Sequence, residues 1–224
     1  MLKVDLHMHT HFSYDSGAPS KSIVERCVKA GLNCIAVTDH NTIRGALEVQ
    51  SIAPFPVIIG EEIKSSAGDI IGLFLKEEVP KGLSPLETVD AIKAQAGLVM
   101  VPHPFDRFRP SAIKYDALQE ILPYVDIVEA FNAHDLLMRD NEKAAAFTRE
   151  HSLVAAAVSD SHTPLELGRT YMEMPDFDGT PSAMLRAGPE AFKDALSQAR
   201  LVTRRAHQIL RLTTVYVKLK RLFR

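Results

Sequence analysis

A chain of 224 residues with 46% hydrophobic and 24% charged side chains is long enough for one domain with a sizeable core, and its balance is that of an ordinary globular protein. The net charge of −2 is unevenly spread: all 28 acidic residues precede position 200, whereas eight of the 26 Lys and Arg residues lie from Arg200 onward. No apolar run approaches the roughly 18 residues of a membrane span, no signal peptide precedes Asp5, and Cys27 and Cys34 are too few for a disulfide framework, so a reduced cytoplasmic protein is expected.

In chain order the pattern predicts a strand over Lys3–Leu6, a helix over Ser20–Ala30, a strand over Cys34–Val37 and a helix over Ile43–Ala53. Strands follow over Val57–Ile59 and Ile70–Leu75, then a helix over Leu86–Ala96 and strands over Leu98–Val101 and Ile127–Phe131. A helix over Asp135–Glu150, a strand over Val154–Val158 and a helix over Pro189–Ala199 complete the alternation. Ser20 is expected to cap the first helix and Gly31 to stop it. This alternation predicts parallel strands with helical crossovers, and seven such strands point to an α/β barrel, closed or nearly so. Residues 1–203 are read as the barrel and residues 204–224 as a basic amphipathic helix belonging to the same domain. The tail spaces Ile209, Leu212, Tyr216, Leu219 and Leu222 at helical intervals among cations, so it either docks on the acidic body or reaches an anionic membrane or nucleic acid.

Function in such barrels sits at the C-terminal ends of the strands. There the chain places His7-Met8-His9, Thr38-Asp39-His40, Gly60-Glu61-Glu62, Pro102-His103-Pro104 and Ser159-Asp160-Ser161-His162. One such ending means little; five on one rim imply metal. His7 and His9 are two apart and share a face. His7, His9, Asp15, His40, Glu62, His103, Asp160 and His162, with Asp69 as a ninth candidate, exceed what one tetrahedral zinc takes. They suit two or three ions sharing carboxylates, and imidazole with carboxylate but no thiolate fits Zn, Mn or Fe. Clustered divalent ions roughly 3.5–4 Å apart are a device for hydrolysing phosphate esters. Cys27 and Cys34 fall away from this rim, which argues against thiol catalysis.

The elements "DLHMHTHFSYDSG", "AVTDHNTIRGA", "IIGEEI", "VPHPF" and "VSDSHTPLELGR" resemble the PHP (polymerase and histidinol phosphatase) superfamily from residue 3 to about residue 175. The resemblance implies a distorted (β/α)7 barrel, a trinuclear metal site and phosphoesterase activity. It assigns His7, His9, Glu62 and Asp160 to a first ion, and Glu62 and His103 to a second. Asp15, His40 and His162, which are also the catalytic candidates, go to a third. Glu62 is preferred to Glu61 because it directly precedes Ile63. Asp69, in "SAGDIIGLFL", stands where many relatives have histidine. Only 56 residues separate His103 from Asp160, enough for two further βα units and no inserted domain, so an open mouth is expected.

Beyond the ligands, Glu129 and Asn132 are read as orienting them, with His134 nearby, and Asp39 as a helix cap or a support for a ligand. His11 is read as a supporting or surface residue, and His151 and His207 as solvated. Phosphate needs positive charge besides metal, and Arg169, Arg107 and Arg109 are the candidates, Arg169 first because it follows Asp160 and His162 closely. The substrate expected is a small phosphomonoester, a nucleotide or an oligonucleotide end. An exonuclease or polyphosphate hydrolase guided by the tail, and a non-catalytic metal-binding regulatory module, are the competing readings.

Overall fold

The computed structural model describes residues 1–175, 181–206 and 217. The described elements are β1 (Leu2–Asp5), α1 (Ser20–Ala30), β2 (Cys34–Val37), α2 (Arg44–Ile52), β3 (Val57–Ser65), β4 (Gly68–Leu73), α3 (Pro85–Ala94) and β5 (Leu98–Val101). They continue with α4 (Tyr115–Ile121), β6 (Ile127–Asn132), α5 (Met138–Glu150), β7 (Val154–Val158), β8 (Tyr171–Met174), α6 (Pro181–Leu196) and β9 (Arg200–Val202). Their strands form one sheet in the order β7-β6-β5-β4-β3-β2-β1-β8-β9. Past the end of β1, Met8 bridges Ser161 in parallel, and the His9 N–H donates to the Ser161 carbonyl at 2.8 Å. The sheet thus curls into a nearly closed barrel, its two halves meeting at the edge that carries the ligand-type residues.

Side-chain period selects the layers. Val4, Cys34, Ala36, Ile58, Ile71, Met100, Ile127 and Met172 fill the interior together with Phe192 of α6. The alternate positions Ile35 and Val37 pack against Ile23 and Cys27 of α1, and Ile63, Ile70 and Val99 pack against Ile92 of α3 and Leu118 of α4. These apolar stripes dock the helices on the outside. Gly31 ends α1 at φ 74°, a left-handed conformation that glycine adopts without Cβ strain. Ser84 and Glu87 close a capping box on α3.

The structure departs from the sequence reading in several places: β3 runs on to Ser65, so Glu61 and Glu62 lie within it rather than past its end, and α6 begins at Pro181, with a break at Gly188. β4 is antiparallel to both β3 and β5, because only Ser66 and Ala67 separate it from β3, too few for a crossover helix. α1 is preceded by Pro19 as its N-cap; Ser20 is its first helical residue and caps nothing. The helix α4 and strands β8 and β9 lie where no element was expected, and β8 runs antiparallel to β1. β8 and β9 are 4 and 3 residues long, too short for a period to emerge.

The basic helix expected over residues 204–224 lies, apart from residues 204–206 and Val217, outside the described residues. Among the described residues, no helix is long and apolar enough to cross a membrane.

Candidate metal centre

The backbone departs from regular strand geometry where it delivers the ligand-type side chains. Leu2, Val4 and Leu6 face the barrel interior, whereas Met8 packs outside near α1. Alternation therefore slips one position just beyond β1, and His7 and His9 both turn inward around Met8. In β3, Ile58 and Glu62 share the inner face, while Glu61 points outward and accepts the Val79 N–H at 2.9 Å. The tight β3–β4 turn brings Asp69 back at the start of β4, on the inner face with Ile71. His103 (φ 31°) and Asp160 (φ 49°) adopt left-handed backbone conformations that cost non-glycine residues energy, a form of strain that concentrates at functional sites.

The result is three touching groups, each with ligand atoms within 4.8 Å of one another: His9, Asp15, His40 and His162; His7, His9 and Glu62; and Glu62, Asp69 and His103. His9 belongs to two groups and so does Glu62, so the three form a chain. Asp160 Oδ1 approaches His7 Nε2 at 3.5 Å and His9 Nε2 at 3.4 Å, which adds it to the middle group. Glu62 Oε2 lies 3.4 Å from both of those nitrogens and 3.1 Å from His40 Nδ1. All nine residues expected from the sequence meet here, and eight are buried, His40 being half-buried.

Charge in this cluster is tightly coupled. Burial opposes ionisation of His7, but Asp160, Glu129 and Glu62 outweigh it and hold the ring well above the ordinary imidazole range. Burial and the neighbouring His162 push His9 down to about 3. Burial would raise Glu62 and Asp160, yet facing imidazoles, with Arg109 in the case of Asp160, hold both carboxyls well below the usual range. Glu62 Oε2, Asp69 Oδ2 and Asp160 Oδ1 are buried with no hydrogen-bond partner among the described residues. Anionic oxygens aimed between imidazole nitrogens fit divalent cations, and the mixed donor set fits Zn, Mn or Fe.

A second layer holds these groups in place. Glu129 takes the His7 Nδ1–H at 2.6 Å through Oε1, and the His103 N–H and Asn132 Nδ2–H, both at 2.8 Å, through Oε2. Asn132 also donates to Asp160 Oδ2 at 3.1 Å. Glu129 and Asn132 are three apart and would face opposite ways in a regular strand. A bulge in β6 between Glu129 and Phe131 restores them to one face. Asp39 accepts from the Thr10 N–H, Thr10 Oγ1 and Ser13 Oγ at 2.6–2.7 Å, and Ser13 Oγ in turn meets His9 Nδ1 at 2.9 Å and the His40 N–H at 3.1 Å. Glu166, which sequence reasoning passed over, accepts the His162 N–H at 2.9 Å and pairs with His134 Nε2 at 2.6 Å. Its only signal in the sequence is its place in "TPLELGR".

The arginines separate. Arg109 reaches Asp160 Oδ2 at 2.7 Å and Asp106 Oδ2 at 3.5 Å, and is 20% exposed at the edge of the cluster. Arg107 turns to Asp140 at 2.9 Å, and Arg169 is exposed, with no ion pair among the described residues. His11 is exposed, and His151 stacks on Phe147 with ring centroids 4.3 Å apart; His207 lies outside the described residues. The Cys27 and Cys34 thiols are buried and raised by burial, Cys27 to about 12. A cavity of about 190 Å³ adjoins Asp15 and His162, walled by Ala18, Pro19, Pro164 and Val217.

The model of the PHP domain matches residues 5–98, and that of a PHP-associated region matches residues 138–196. An uncharacterized protein of Methanocaldococcus jannaschii is 40% identical over 148 residues, spanning 59% of this chain and 83% of its own length.

The chain belongs to the PHP family.

Solved structures carry the same fold at lower identity. A two-domain Bacteroides vulgatus protein containing a predicted PHP-like metal-dependent phosphoesterase superposes with TM-score 0.69 at 20% identity, over 96% of this chain and 69% of its own. The lesion-specific endonuclease EndoQ of Pyrococcus furiosus superposes with TM-score 0.61 at 17% identity, over 89% of this chain and 57% of its own. In this PHP chain the matched residues 5–98 include His7, His9, Asp15, His40, Glu62 and Asp69, while Asp160 and His162 fall within the PHP-associated match.

Proposed function

We propose that this PHP protein is a metal-dependent phosphoesterase that hydrolyses a small phosphate ester with water at a di- or trinuclear centre. The observation that carries the reading is the chain of three ligand groups linked through His9 and Glu62, with Glu62 Oε2, Asp69 Oδ2 and Asp160 Oδ1 buried without a hydrogen-bond partner among the described residues. His7, His9, Glu62 and Asp160 would hold one ion, Glu62, Asp69 and His103 a second, and Asp15, His40 and His162 a third. Ions so bound lower the pKa of water, orient the phosphate and neutralise its charge. Two carboxylates and one imidazole make the second group the hardest of the three, which favours Mn or Fe there. Arg109 is the arginine placed for a substrate phosphate, since a guanidinium fork matches phosphate oxygens and this one borders the cluster. The PHP-domain match over residues 5–98 supports the reaction class, and the Bacteroides vulgatus protein, which contains a predicted PHP-like metal-dependent phosphoesterase, shares the fold.

The test is turnover of a panel of phosphomonoesters, nucleotides and short oligonucleotides by metal-loaded protein, with bound metal measured by elemental analysis. His9→Ala and Asp160→Asn are expected to abolish hydrolysis with the fold retained. Full activity in either variant, or less than about one metal per chain in active wild type, refutes the assignment.

A further inference from the structure

One end of the chain of ligand groups opens into space that neither the ligands nor their supports use. The cavity of about 190 Å³ beside Asp15 and His162 lies between the loop joining β1 to α1, the turn after β7, and Val217 of the tail. Its ionisable walls are engaged within the cluster. Asp15 Oδ2 meets His40 Nε2 at 3.3 Å and His162 Nε2 at 3.5 Å, and His162 Nδ1 meets the Asp160 carbonyl at 2.9 Å. The Thr163 hydroxyl, also on the wall, donates to Glu166 Oε2 at 3.2 Å. The other walls, Gly17, Ala18, Pro19, Pro164 and Val217, bring neither charge nor a polar side chain.

A gap left by imperfect packing is the plainer reading. Gly17 and Pro19 are exposed, however, so the space is reached from solvent, and two ligand-type residues line it. Small-molecule sites have this character: mostly apolar walls with a few polar groups at one side. The phosphate itself does not suit it, because a dianion set against proline and alanine with no Lys or Arg would lose its hydration without compensation. Arg109, the cation placed for phosphate, pairs with Asp160 in the middle group and forms no part of these walls. A phosphate held there leaves the cavity beside the end group for the rest of the substrate. An apolar cavity of about 150 Å³ is enough for benzene, so this one holds a single ring with a methylene attached.

We propose that this cavity is the leaving-group site of the reaction, and that it takes the uncharged, apolar part of an alcohol about one six-membered ring in size. This rests on the phosphoesterase reading above. Gly17 sets the room available. Its backbone is outside the left-handed region, and a Cβ built on it would meet Val217 Cγ2, on the facing wall, at 3.6 Å. That is ordinary contact, so larger side chains at 17 grow into the cavity without backbone strain.

The experiment measures kcat/KM for methyl phosphate, benzyl phosphate and 2-phosphoglycolate in wild type, Gly17→Ala and Gly17→Leu, with equal metal loading verified by elemental analysis. All three are esters of unhindered alcohols and differ chiefly in what the cavity must hold. Wild type should prefer benzyl to methyl phosphate at least about 10-fold, the worth of burying a phenyl ring, and should gain nothing on 2-phosphoglycolate, whose leaving group carries a carboxylate. Gly17→Leu should reduce the benzyl-to-methyl ratio at least about 10-fold, with Gly17→Ala between it and wild type. The wild-type ratios test the site even if Gly17→Leu folds poorly. An active wild type without the benzyl preference, or a preference undiminished in well-folded Gly17→Leu, overturns the role of the cavity while leaving the hydrolase standing. A wild type that turns over none of these esters nor any of the panel overturns the phosphoesterase reading and this site with it.

Discussion

Glu129→Gln isolates the support layer from the ligands themselves. The carboxylate touches no ligand group's coordinating atoms, yet accepts three donors: His7 Nδ1–H, the His103 N–H and Asn132 Nδ2–H. An amide of the same shape has one acceptor oxygen. In either orientation its NH₂ faces at least one of those donors at 2.6–2.8 Å. A buried donor left unsatisfied costs about 1–3 kcal/mol, and loss of a partner orienting a metal-bound histidine typically lowers metal affinity about 10- to 100-fold, or roughly 1.4–2.8 kcal/mol. His7 is hit directly, because the anion that helps hold its charge and its tautomer is gone. Competition against a chromophoric chelator gives the affinity, and thermal unfolding of chelator-treated protein gives the stability change separately. Affinity within about twofold of wild type, together with unchanged stability, would refute the claim that Glu129 orients His7 and His103.

Arg109→Ala should lower kcat/KM for phosphate esters about 10- to 100-fold, the worth of a charge-assisted hydrogen bond, whereas Arg169→Ala should stay within about twofold; steady-state kinetics at fixed metal loading separates them. In chelator-treated protein, the Asp135 carboxyl is raised from 3.8 to about 8, so between those values the folded state holds a proton that the unfolded chain has released. Its contribution to stability is therefore fully present below the lower value and is lost as pH rises through the upper one. Asp135→Asn has no such group, so its stability relative to wild type should rise steadily from acid pH to pH 8, read from urea unfolding across that range; a flat difference would contradict the raised carboxyl.

The sequence alone determined the barrel and most of the candidate cluster. Both follow from local chemistry: apolar runs separated by amphipathic segments, and His, Asp or Glu just past each run, where a parallel barrel exposes its strand ends. The spacing His7-Met8-His9 put both imidazoles on one face, but the slip of alternation just beyond β1 is what turned that face inward; within β3 alternation points Glu61 out and Glu62, the glutamate that the family resemblance had singled out, inward. Tertiary structure decided what depends on pairing between distant strands. Asp69 reaches the site because a two-residue turn reverses β4, and Glu129 and Asn132 share a face because β6 bulges against β7. Neither the reversal nor the bulge leaves a period in the chain, since both are properties of register. Among the arginines, nearness in sequence favoured Arg169, but the loop after β5 turns Arg109 to Asp160 and leaves Arg169 exposed. A long side chain goes where backbone direction and the nearest buried carboxylate send it, and those are set only when the barrel closes.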